Sequence, residues 1–229
     1  MGKKQYFLIA DTETTMDNTV ADFGAIICDR QGNIHAECAV LVKGEFDAKE
    51  LFHDAKSKDA IWTLDGLKRR KENYTKMLNE GTRMLASVSA INRWLEKANA
   101  KYNPELTAYN LAFDLDKCAN TGIDLNMFST RFCLWYLACG HYAKTKAYKQ
   151  FVMDNKLFTD KFNMKTNAEV MASFVSGEML PPEPHTAIED AKFYELPILK
   201  SIIAKRNWKE KTKPYNWREY QMKDNYVPA

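Results

Sequence analysis

Three apolar runs in the first forty or so residues constrain this chain more than any other feature. Residues 5–11, 22–28 and 33–42 each read as a buried or half-buried strand. Asp29-Arg30-Gln31-Gly32-Asn33 supplies a turn between the second and third, so the three form an antiparallel meander. Helical and extended patterns then alternate. Glu45 to about Arg70 is mixed and reads as short helices with a loop. A helix is predicted from Arg83 to Asn99, with Leu85, Val88, Ile91, Trp94 and Leu95 on one face. A strand at 106–109, a helix at 111–121 and a short strand near Thr130–Cys133 follow. Thr166-Asn167-Ala168-Glu169 is a capping box opening a helix through Phe174, and a last long helix starts at Ala187. The expected fold class is α/β, a mixed sheet with helices packed on it. A length of 229 residues suits one domain with an ample core, and no repeat, low-complexity tract or linker interrupts it.

Three short polar segments stand where these elements begin or end. In the first, Tyr6-Phe7-Leu8-Ile9-Ala10 runs into Asp11-Thr12-Glu13-Thr14-Thr15. Side chains alternate along a strand, so Asp11 and Glu13 face the same way. Two ionised carboxylates on one face repel, and a hard divalent cation relieves that by taking oxygen from both. A strand that simply ends in polar residues has the same appearance. In the second segment, Asn110 can cap the helix that places Asp114 in its first turn, where the helix dipole favours a carboxylate whether or not it has a further use. The third is Pro181-Pro182-Glu183-Pro184-His185-Thr186-Ala187-Ile188-Glu189-Asp190-Ala191. Its prolines hold the approach extended, and Thr186 with Glu189 forms a capping box. His185 is then N′ and Asp190 N4, the two positions that a hydrophobic staple would join. An imidazole and a carboxylate there give up packing, which suggests a use other than packing. A surface His beside a surface Asp is the plain alternative. Pro197 is expected to kink or split the helix that follows.

Taken together and in this order, Asp11-Thr12-Glu13-Thr14, Asn110-Leu111-Ala112-Phe113-Asp114 and His185-Thr186-Ala187-Ile188-Glu189-Asp190-Ala191 resemble the motifs of the DEDDh (DnaQ-like) 3′→5′ exonuclease family. The resemblance spans roughly residues 5 to 204. It implies a ribonuclease H-like mixed β-sheet flanked by helices. It also implies two Mg2+ or Mn2+ ions on Asp11, Glu13, Asp114 and Asp190, with His185 as general base. Thr12, Thr14, Asn110 and Phe113 become candidate substrate-binding residues. Many members carry Gly soon after the first motif, where this chain has Met16-Asp17, a departure that bears on binding of the 3′-terminal nucleotide. The implied substrate is a single-stranded or frayed 3′ end, with release of nucleoside monophosphates. DNA is favoured because small stand-alone proteins of this kind are often DNA exonucleases or proofreading subunits. An RNA-trimming exoribonuclease and a non-catalytic nucleic-acid-binding scaffold are the alternatives. A polymerase or another replication or repair protein is a candidate partner.

Composition limits the classes further. Net charge is only +3, which permits a nucleic-acid partner without arguing for one. No stretch is long enough to span a membrane, and the basic start has too short an apolar run for a signal peptide. Five cysteines without framework spacing suggest reduced thiols and a cytoplasmic location. Cys133, Cys139 and His141 cluster in sequence, but without any Cys-x-x-Cys pair they read as a strand end or helix instead of a zinc site. Basic and aromatic residues concentrate at Tyr142, Lys144, Lys146, Tyr148 and Lys149, then at Lys156, Lys161, Phe162 and Lys165, as candidate substrate surfaces or solvated helix faces. The expected domain is 1–205, and 206–229 is a basic and aromatic extension too rich in Trp and Tyr for a disordered tail, expected to dock on the body.

Overall fold

A computed structural model describes residues 4–221. The expected meander forms from β1 (Tyr6–Thr14), β2 (Val20–Asp29) and β3 (Ile34–Val42), with β1 antiparallel to β2 and β2 to β3. β1 runs three residues beyond its expected end, so Asp11 and Glu13 lie within the strand. A 16-residue helix, α1 (Leu64–Asn79), follows, where short helices and a loop were expected. Thr63 caps it, and its inward positions include Leu67, Arg70 and Tyr74. Two polar-tipped residues on the buried stripe hide that helix from a reading based on aliphatic periodicity.

The predicted helix from Arg83 is corrected. Met84–Ala86 form β4, parallel to β3, with Leu85 exposed, and Ser87 caps α2 (Val88–Tyr102). β5 (Glu105–Ala108) pairs parallel with β1, α3 spans Leu111–Thr121, and β6 (Arg131–Cys133) pairs parallel with β5. The result is a six-stranded mixed sheet in the order β4-β3-β2-β1-β5-β6 with helices on both faces.

Alternation along β1 divides the core. Leu8 and Ala10 pack with Ile91 and Leu95 of α2 and Cys118 of α3 on one face. Phe7 and Ile9 pack on the other with α4 (Leu134–Ala138), α5 (Lys146–Asp154), α6 (Ala168–Ser176) and the closing helical segment. Thr166 does not cap α6, because Asn167 takes that position and the Thr166 hydroxyl accepts from Trp135 Nε1 at 3.0 Å. The closing segment is split as Pro197 suggested. α7 (Ala187–Asp190) passes through a π turn, Ala191–Glu195, into α8 (Leu196–Ile203). A π turn just ahead of Pro197 lets the chain continue past a residue that cannot donate.

Tyr148 is fully buried and donates to the Lys165 carbonyl at 2.6 Å, so it is a core residue and not a base-stacking surface. The described residues past 205 pack on the body through Trp208, Lys213 and Tyr215. Trp208 sits 5.0 Å from the Phe132 ring, Lys213 N donates to the Tyr136 carbonyl, and Tyr215 stacks on Trp135 at 4.5 Å. A Cβ on Gly140 would overlap the Lys211 carbonyl, so this docking needs a glycine there. Residues 222–229 of the extension lie outside the described residues. No helix among the described residues is long and apolar enough to cross a membrane.

Candidate metal centre

β1 pairs with β5 only from Phe7 to Ile9, so from Ala10 onward its β5 side is open. In open sheets ligands bind beyond the carboxyl ends of parallel strands. The open end of β1 carries Asp11, Thr12 and Glu13. The odd residues of β1 face α7, which sets Asp11 and Glu13 toward the third polar segment. Thr12 faces the α3 side, where its hydroxyl donates to Asp114 Oδ1 at 2.9 Å. Asp114 thus reaches the same cleft around the open edge of β1.

Close approach of α7 depends on Gly24, which pairs with Asp11 across the β1–β2 ladder. A Cβ on Gly24 would overlap the Ala187 carbonyl carbon and the Ile188 nitrogen. Glycine inside a strand marks such approaches, and this signal was open to a reader of the sequence but not used. Thr186 is the residue before α7, yet its hydroxyl makes no cap bond. Asp190 Oδ2 instead accepts from Thr186 N at 3.0 Å, and Glu189 pairs with Arg83. The expected reciprocal box between Thr186 and Glu189 is therefore replaced by Asp190 reaching back one turn. Asn110 likewise precedes α3 in the left-handed region, φ 71°, with no side-chain cap bond.

Two adjoining cavities open here. One, of about 280 Å³, is lined by Asp11, Glu13, Tyr109, Asn110, Trp135, Glu183, His185, Asp190 and Glu195 among others. The other, of about 360 Å³, is lined by Asp11, Thr12, Glu13, Thr14, Phe52, Trp62, Phe113, Asp114 and His185 among others. All nine residues named from the three polar segments line one or both. Glu13, His185 and Asp190 form a group that could hold a metal ion, with one ligand atom from each within 4.8 Å of the others. His185 Nδ1 is 3.7 Å from Glu13 Oε1. His185 itself has φ 52°, its carbonyl accepts from Tyr74 of α1, and its ring lies 4.5 Å from the Trp62 ring.

The electrostatics are those of concentrated negative charge without a counter-ion. Burial, then the neighbouring carboxylates Glu195, Asp114, Asp190 and Glu13, push Asp11 well above the usual carboxylate range. Burial, opposed in part by the Thr12 hydrogen bond, raises Asp114 to about 8. Burial and the charges of Glu13, Glu183 and Glu195 raise Asp190 to about 10. Burial lowers His185, but the adjacent Glu13 carboxylate more than offsets this and the net shift is upward. Asp190 Oδ1 and Glu195 Oε2 are buried without a hydrogen-bond partner. Unpartnered carboxylate oxygens of this kind are hard ligands and could take a metal ion.

Glu183, Glu195, Trp62 and Tyr74 belong to this surrounding and were not singled out from the sequence. Trp62 and Tyr74 come from the segment between β3 and β4, far from the three motifs, so no local signal marks them. Among the described residues, Cys139 and His141 belong to no group that could hold a metal ion. His141 Nε2 instead pairs with the Trp208 carbonyl at 2.9 Å. No protein-family model matches the chain, and no curated protein matches its sequence.

Proposed function

We propose that this chain is a metal-dependent 3′→5′ exonuclease with a ribonuclease H-like arrangement of its sheet. The observation that carries this reading is the meeting of Asp11, Glu13, Asp114, His185 and Asp190, from three distant segments, around two adjoining cavities at the open end of β1 that share Asp11, Glu13 and His185. Asp11, Glu13, Asp114 and Asp190 would hold two Mg2+ or Mn2+ ions. Such ions would neutralise charge at the scissile phosphate and make a bound water more acidic. His185, whose Nδ1 is 3.7 Å from Glu13 Oε1, would take the proton from the attacking water at a ring nitrogen. Trp62, with Phe52 and Phe113 each about two-fifths exposed, offers aromatic surface on which unpaired bases can stack. Thr12 acts by orienting Asp114, while Asn110 and Phe113 are open to substrate. The proposed substrate is a single-stranded or frayed 3′ end, whose terminal nucleotide would have to reach the carboxylates.

The test uses 5′-labelled single-stranded DNA and RNA of the same sequence with magnesium. A ladder shortened from the 3′ end is expected, faster on DNA, and its absence on both would overturn the reading. His185→Ala should lose about 10²–10⁴ in turnover while still binding Mn2+. Full turnover in that variant would remove the base role.

A further inference from the structure

We infer that Glu195 is a fifth carboxylate of the metal centre, its Oε2 a direct ligand to the cation held by Asp11 and Asp114. This rests on the reading above and extends it. In a regular α-helix a residue five places after Asp190 would be turned roughly 140° away from it. The π turn Ala191–Glu195, with its i→i+5 pattern, brings Glu195 back toward the Asp190 side, while Phe193 points out and is 62% exposed. π turns of this kind recur at functional sites. Glu195 is 2% exposed and lines the same cavity as Asp11, Glu13 and Asp190.

Its two oxygens have different circumstances. Oε1 accepts from Tyr109 N at 3.0 Å and so fixes the corner between β5 and α3. Oε2 is buried with no partner. A buried oxygen left unmatched costs free energy, so holding the corner through Oε1 accounts for only one of the two oxygens of this side chain. The second oxygen gains a use if a cation sits beside it.

Two measurements test this. Wild-type crystals soaked in MnCl2 should show an anomalous peak about 2 Å from Glu195 Oε2. Manganese held by the other carboxylates with Oε2 outside its ligand sphere would overturn this inference alone. No bound manganese at all would overturn the metal reading with it. In solution, Glu195→Gln keeps the Tyr109 hydrogen bond and removes the charge. Its Mn2+ affinity, read as free Mn2+ by electron paramagnetic resonance, should fall about 10–100-fold. Unchanged affinity in a folded Glu195→Gln protein would reduce Glu195 to a positioning residue. If that variant does not fold, the wild-type crystals still decide.

Discussion

Two groups of buried carboxylates lie near β1, β2 and α7, and they are solved differently. In the first, Asp22 of β2 is met by Arg83 Nε at 3.3 Å, by Tyr74 Oη at 3.1 Å and by Ala187 N at 3.0 Å, while Glu189 takes the rest of the Arg83 guanidinium. Burial raises Asp22 only to about 6, because Arg83 pulls the other way. In the second, Asp11, Asp114, Asp190 and Glu195 make no ion pair with any Lys or Arg among the described residues, and Asp114 and Asp190 rise to about 8 and about 10. The first group is a finished structural joint between α1, β2 and α7. The second has no basic side chain paired with it among the described residues. The contrast separates buried acids matched by a protein cation from buried acids that are not, and the second kind is the one a bound metal would suit under the proposed function.

The sharpest way to break this comparison is to remove one member of the second group. Asp11→Ala should abolish magnesium-dependent cleavage, a loss on the order of 10³-fold or more, in an end-labelled oligonucleotide assay. Retained activity would mean that the cation is held elsewhere. Removing the arginine of the first group tests the opposite property. Arg83→Met leaves Asp22 buried without its cation, and denaturant unfolding should show a loss of about 3–5 kcal/mol. A loss under about 1 kcal/mol would make the two groups equivalent.

A third test uses pH. Asp114 and Asp190 bind protons more tightly folded than at their ordinary value of 3.8, so their contribution favours the fold at low pH. It is complete below about pH 4 and is lost as pH rises through about 8 and about 10. With a chelator present, stability should therefore fall by at least about 2 kcal/mol between about pH 5 and about pH 9. Saturating Mg2+ should flatten that slope, because the bound form keeps the carboxylates ionised. Parallel curves with and without Mg2+ would contradict a metal in the second group. The smallest expected effect concerns the spacing of the two groups. Gly24→Ala forces α7 off β2 and should cost about 1–3 kcal/mol by thermal unfolding, with weaker Mn2+ binding because Asp190 moves with α7.

The five positions could be picked out because local rules mark each: Asp11 and Glu13 where the apolar run of β1 gives way to polar residues, Asp114 in the first turn of α3, and His185 and Asp190 at the start of α7. The first three strands and α3 were legible for the same reason, since apolar alternation and a Gly-containing turn are short-range signals. α1 was not, because its buried stripe uses Arg70 and Tyr74, whose place in the core depends on Asp22 and Glu13 from another part of the chain. β4 was missed because three residues of edge strand carry too little periodicity to compete with the helix after them. Glu195 was missed because helical spacing turns it away from Asp190, and only a π turn restores it.

Which residue types occur at which boundaries, and the order of strands and helices that follows, were settled by the amino-acid sequence, since hydrophobic period and turn chemistry act over a few residues. That Asp11, Asp114 and Asp190 line two adjoining cavities was decided only by the tertiary structure. It required β1 to outrun β5, Gly24 to admit α7, and Thr12 to turn Asp114 inward. Each is a contact between residues dozens of positions apart, and such contacts form only when the whole sheet is assembled.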